Sequence, residues 1–206
     1  MKRIALGAAL GLAVTALVAV AQERPASPRG TASTEIGGKY NNAAEPVYVG
    51  GKWIEITYGR PIKRGRDLWG AGPDYGQMVN AGAPVWRAGA DVSTRLKTDV
   101  PLVINNKPVP RGEYSLFIDL KPGSWTFIVS SWAAQTNFDP SNRNALWGSF
   151  NYTPAKDVVR APMALSSLPY SVDELTWSFV DMSNAGGKIA IMWDKQMASV
   201  PFKVGN

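Results

Sequence analysis

Glu174-Leu175-Thr176-Trp177-Ser178-Phe179-Val180-Asp181 alternates with a period of two: Leu175, Trp177 and Phe179 project to one side, Thr176 and Ser178 to the other. That spacing marks a half-buried β-strand. The following Ser183-Asn184-Ala185-Gly186-Gly187 is a turn into Lys188–Trp193, where Ile189, Ile191 and Trp193 again share a face. Asp194-Lys195 reads as another turn before a last strand carrying Val200 and Phe202. Further back, Glu113–Leu120 and Ser124–Ser130 are β-rich runs joined by a Lys121-Pro122-Gly123 turn. Asn105-Asn106 suits a tight turn with positive φ between Pro101–Ile104 and Lys107–Pro110. Trp53–Tyr58 is a less regular strand. Ile36–Tyr40 and Val49–Trp53 both read apolar-Gly-Gly-Lys-aromatic, which suggests two hairpin-type turns around the loop Asn41–Pro46.

No window of useful length has helical periodicity; Thr153–Val159, opened by Thr-Pro, predicts a single helical turn. The chain of 206 residues is 45% hydrophobic and only 18% charged, with 20 Gly and 15 Pro, a balance that suits short strands and turns. The expected fold is all-β: an antiparallel β-sandwich or partly open barrel with long loops and at most short helical turns. Two long loops interrupt the strands, from Arg60 to about Val85 and from Trp132 to Gly148. Such loops on a rigid scaffold are where function concentrates.

The N-terminus has the parts of a secretory signal peptide: Lys2-Arg3, an apolar stretch from Ile4 to Val20, and small residues Ala19 and Ala21 before Gln22. The expected organisation is a signal peptide over 1–21, a polar leader over 22–30 and one domain over 31–206. The mature protein is then periplasmic or secreted, with no membrane attachment. Losing Lys2 and Arg3 takes the net charge from +6 to +4, too mild to argue for a nucleic-acid partner. With no cysteine and no histidine, the chain has no disulfide, thiolate nucleophile, Cys/His zinc site or Ser-His-Asp triad. No metal and no cofactor is expected.

Two segments concentrate chemistry. Tyr58–Gly70 places Arg60, Lys63, Arg64 and Arg66 in seven residues, on a loop forced by Gly59, Pro61 and Gly65. Guanidinium and backbone N–H groups there could converge on an anion. Equally, Arg60 or Arg66 could clamp the loop by pairing with Asp67 or Asp91. Val85–Thr94 brings together Trp86, Arg87, Asp91 and Thr94. Trp86 could stack on a sugar or ring whose hydroxyls meet Arg87 and Asp91, or Arg87 and Asp91 could simply close a loop. The two segments, though distant in sequence, are expected to meet at one end of the sandwich. The second long loop carries Trp132, Phe138, Trp147, Phe150 and Tyr152, read as a satellite core in preference to a binding surface. Asp139–Asn144 resembles a calcium loop only superficially, because Arg143 falls where an oxygen ligand is wanted.

Taken in order, Ala26–Gly30 (ASPRG), Ile56–Gly70 (ITYGRPIKRGRDLWG), Val85–Thr94 (VWRAGADVST), Ile104–Phe117 (INNKPVPRGEYSLF) and Asp157–Arg160 (DVVR) resemble the bacterial family called domain of unknown function 2911. The resemblance runs from about Ala26 to Phe202. Asp91 and Val92 stand where that family more commonly has Asn and Glu. It implies an exported, mainly β domain and brings with it no activity, substrate or catalytic residue.

Three functional readings follow, in order of preference. The first is a non-catalytic exported module binding a small polar or anionic ligand, such as a saccharide, with Tyr58, Arg60, Arg66, Trp86, Arg87, Asp91 and Thr94 around the site. The second is an envelope structural or interaction domain that recognises a partner through a sheet edge or the aromatic loop. The third is a hydrolase drawing its acid and base from the 16 carboxylates, of which no pair has motif support.

Overall fold

The computed structural model describes residues 25–205. The expected signal peptide and the first residues of the leader lie outside the described residues. The strands are β1 (Arg29–Ile36), β2 (Lys39–Tyr40), β3 (Tyr48–Val49), β4 (Lys52–Gly59), β5 (Thr94–Thr98), β6 (Leu102–Ile104) and β7 (Lys107–Val109). They continue as β8 (Gly112–Lys121), β9 (Ser124–Ser130), β10 (Ala133–Ala134), β11 (Ala145–Leu146), β12 (Asp157–Pro162), β13 (Ala164–Ser183) and β14 (Gly186–Val204). Helix is confined to α1 (Gln77–Asn80) and single 3-10 turns at Gly72–Asp74 and Pro154–Lys156, the latter where Thr153-Pro154 predicted one.

One antiparallel sheet has the order β1-β4-β5-β8-β9-β12, and a second has β13-β14-β6-β7. Neither closes into a barrel, so the fold is an all-β sandwich. Its core joins Ile54, Ile56, Leu96, Leu116, Ile118 and Phe127 of the first sheet to Ile104, Leu175, Trp177, Ile189, Ile191 and Phe202 of the second. Period-two alternation aims each of these sets inward. The chain passes between sheets at buried Met163, linking β12 to β13. In β8 both faces are buried. Leu116 and Ile118 point into the core, while Phe117 and its cross-strand partner Ile128 point outward under Val85, Leu146 and Tyr152. The second long loop thus covers the back of the six-stranded sheet.

Two turns expected from the sequence take other forms. Asp194-Lys195 does not reverse the chain. Asp194, at φ 53°, sits in a register shift within the single long strand β14. Asp tolerates the left-handed region in a bulge as it does in a turn. The two Gly-Gly segments are not separate hairpin turns either. Ile36 pairs with Lys52 and Lys39 with Val49, so they face each other across one ribbon whose tip is Asn41–Val47. Strand β1 also opens at Arg29, inside the segment expected to be a leader.

Candidate functional site

Past Gly59 the chain leaves the first sheet and straps across to the second. Lys63 N donates to Asp173 O (2.8 Å) and Leu175 N to Pro61 O (3.0 Å). The strap carries Arg60 to Glu174 (2.7 Å) and Lys63 to Asp194 (2.6 Å). Arg66 curls back: its Nε donates to Lys63 O (2.9 Å), its Nη2 donates to Ile62 O (2.6 Å), and its Cζ lies 5.9 Å from the Trp193 ring centroid.

The second arginine segment begins with Trp86, whose backbone exchanges hydrogen bonds with Ile118 (2.8 and 2.9 Å). Ala88 (φ 51°) and Asp91 (φ 62°) then adopt the left-handed region, a strained choice for Ala. The Ala88 carbonyl holds that shape by accepting from Thr94 Oγ1 (3.1 Å) and Trp177 Nε1 (2.9 Å). A side chain at Gly59 would run into the Ala90 carbonyl, so glycine there lets the two segments pack backbone to backbone. The meeting of these segments expected from the sequence therefore occurs.

Where they meet, a pocket of about 200 Å³ is lined by Pro61, Arg66, Trp86, Arg87, Asp91 and Trp193, among others. Arg87 is half-buried, and its Nη1 donates to the backbone carbonyl of Asp91 (2.9 Å). No carboxylate pairs with this guanidinium among the described residues. Burial holds its pKa below the usual arginine value, with the Asp91 charge opposing that shift. On its other side, Arg87 lines a larger pocket of about 500 Å³ between the two long loops, with Pro84, Phe138, Trp147 and Phe150. Gly148 (φ 59°) forms the wall beside it, where a Cβ would stand 2.7 Å from Nη1.

Of the seven residues singled out from the sequence, Arg66, Trp86, Arg87 and Asp91 share the smaller pocket. Three do not reach it. Tyr58 is buried, its hydroxyl accepting from Trp177 N (3.1 Å). Thr94 is spent on Ala88. Arg60 is a clamp, held by Glu174 and not by Asp67 or Asp91. Trp86 lines the pocket but offers no free ring face. It is 1% exposed, and Trp193 stacks on it at 6.1 Å and 12° while Trp69 and Trp125 meet it edge-on. A sugar cannot take that face.

The satellite core expected of the second loop forms only in part. Tyr152 is buried and Trp132 half-buried, but Phe138 and Phe150 stand 55% and 48% exposed at the larger pocket. Asp139 binds Ser141 (2.9 Å to N, 2.6 Å to Oγ), which holds its carboxyl below the ordinary range. Among the described residues no group of three or more acidic side chains is placed for a metal.

Sequence reasoning missed a polar cluster behind the second loop. Arg160 donates to Asp119 (2.8 Å), Asp157 (3.0 Å) and the Tyr152 hydroxyl (3.2 Å), and that hydroxyl donates to Asp157 (2.6 Å). Desolvation, then the Asp157 hydrogen bond, pushes the Tyr152 phenol well above its usual pKa. Arg160 closes the DVVR motif, the one signal that could have pointed to it. Alternation places Trp193, the stacking partner of Trp86, on a strand, and nothing local in the sequence pairs the two rings.

No curated protein and no solved structure matches the chain. A family model described as a protein of unknown function (DUF2911) matches residues 41–202. That span runs from the ribbon tip to the last core residue of β14 and contains every residue of both pockets, so the chain belongs to this family.

Proposed function

We propose that the protein is an exported, non-catalytic binding module whose small anionic or polar ligand docks on Arg87 beside Arg66. The observation that carries this reading is the Arg87 guanidinium, half-buried, facing two pockets and paired with no carboxylate among the described residues. A partly desolvated cation with no hydrogen-bonded carboxylate is costly, since the Asp91 charge only partly opposes the effect of burial, and an anion accepting two parallel N–H bonds would offset that cost. The strained backbone at Ala88 also favours a binding role, since such strain gathers at ligand sites.

The test is a thermal-shift panel of phosphates, sugars and sugar acids on wild type, Arg87→Ala and Arg64→Ala. Arg64 is exposed and lines neither pocket, so it controls for bulk charge. An anion is expected to raise the Tm of wild type and Arg64→Ala, and to leave Arg87→Ala unmoved. If no compound shifts wild type, Arg87 is a structural residue and the reading fails.

A second reading, an interaction domain, is favoured by the β2–β3 ribbon, where Tyr40, Val47, Tyr48 and Val49 are all exposed. Replacing Val47 and Val49 by Ser would abolish partner capture in that case and leave anion binding as it was.

A further inference from the structure

Arg87 is shared by two pockets of different character. The smaller presents Arg66 and Asp91. The larger, about 500 Å³, is dominated by Pro84, Phe138, Trp147 and Phe150 and falls in the size range of small-molecule sites. We propose that the ligand is an aromatic carboxylate, its acid group on the Arg87 guanidinium and its ring against the wall of Phe138, Trp147 and Phe150. This rests on the anion reading of Arg87 above and names the ligand class.

Three observations carry it. First, the three aromatic rings already form an edge-on set. Phe138 lies 6.1 Å from Phe150 and 6.2 Å from Trp147, at interplanar angles of 71° and 61°. A fourth ring entering at these spacings extends the same geometry. Second, Phe138 and Phe150 are about half exposed although each belongs to a loop whose neighbours Leu146 and Tyr152 are buried. Covering them removes apolar surface from water, which drives association. Third, Gly148 has no side chain, and this leaves room for the Arg87 guanidinium between the two loops. Arg87 lines the same pocket as the three rings, so the substituent of an acid group bound there lies within reach of the aromatic wall. Asn80, Ser149 and Asn151 also line the pocket and could serve some saccharide hydroxyls, but its surface is mainly apolar, and the hydroxyls left facing Phe138, Trp147, Phe150 and Pro84 would lose their water partners at a cost for each. A flat apolar ring meets no such cost.

Isothermal titration with acetate, phosphate, benzoate, 2-naphthoate, the sugar acid glucuronate and the uncharged 2-naphthalenemethanol tests the proposal. Affinity is expected to rise from acetate to benzoate to 2-naphthoate, by about tenfold or more overall from the apolar area each ring buries. Phe150→Ala, a change at an exposed ring, should weaken 2-naphthoate by about tenfold and leave acetate as it was. Arg87→Gln should abolish both, and the uncharged alcohol should not bind. Arg87→Lys, which keeps the charge and loses the planar fork, should retain partial binding and shows that the site survives substitution. If acetate or phosphate binds through Arg87 but 2-naphthoate is no tighter, or Phe150→Ala has no effect, the aromatic subsite is wrong while the anion reading stands. If a sugar acid binds more tightly than 2-naphthoate, the ligand class is wrong. If 2-naphthoate binds equally to Arg87→Gln, the ring is only partitioning into an apolar cleft and the proposal falls. If no anion binds wild type, the reading under Proposed function fails and takes this one with it.

Discussion

Trp177 spends both of its N–H groups across the sandwich. Its backbone N–H donates to the Tyr58 hydroxyl, and its indole donates to the Ala88 carbonyl in the strained segment beside Arg87. Trp177→Ala should therefore cost about 3–5 kcal/mol in chemical denaturation, from the lost side chain and the cavity left behind. Trp177→Phe keeps most of the volume but leaves Ala88 with one donor fewer, and should cost about 1–2 kcal/mol. Gly148→Ala puts a methyl against the Arg87 guanidinium at φ 59°, where an L residue is already disfavoured. A loss of about 1–3 kcal/mol in urea titration is expected from that strain. Single residues differ in how far the sequence discloses them. Trp177 was legible because alternation alone sets its face. Trp86 was not, because an aromatic in a Gly-rich loop looks like a ligand platform until Trp69, Trp125 and Trp193 arrive from three other segments. The partner of Arg60 was equally hidden. Nearby Asp67 and Asp91 were the local choices, but the strap delivers Arg60 to Glu174 on another strand.

At the scale of elements, the strap over residues 60–63 does what neither sheet does alone. It leaves the end of β4 and pairs with β13, and its Lys63 reaches the bulge in β14. The Lys63 ammonium, aided by the Ser171 hydroxyl, holds the Asp194 carboxyl below its ordinary value of 3.8. A carboxyl depressed by folding contributes stability above its unfolded pKa, and that contribution is lost as pH falls through the folded value. Wild type should accordingly lose stability as pH falls below about 4, and Asp194→Asn should be less stable at neutral pH with a shallower acid limb. Urea midpoints across that range check it. The Tyr152 phenol runs the other way. Its pKa is raised by folding, so its contribution is complete below about pH 10 and is lost as pH rises beyond. The strands themselves were largely legible, including the Asn105-Asn106 turn, where both residues have positive φ. Bulge and turn could not be told apart at Asp194, since both ask for the same local backbone. The paired Gly-Gly segments could not be matched to each other, since a ribbon's register depends on the strand opposite.

For the whole molecule, export and fold make separate predictions. Protein recovered from its own host should begin at Gln22, which intact mass determines; a species retaining residues 1–21 would overturn the signal-peptide expectation. The sandwich itself has a consequence in time. Its second sheet joins β6 and β7, from the middle of the chain, to β14 at the end. A ribosome or an export channel releases the N-terminal side first. Until β14 emerges, the hairpin of β6 and β7 has no neighbouring strand, and the inner face bearing Ile54, Leu96 and Phe127 has no lid. The chain therefore passes through a stage in which about nine tenths of it exists while the core residues of β14 are still missing, the condition in which chaperones earn their keep. A stop codon after Ser183 should yield no smaller domain, only an aggregate.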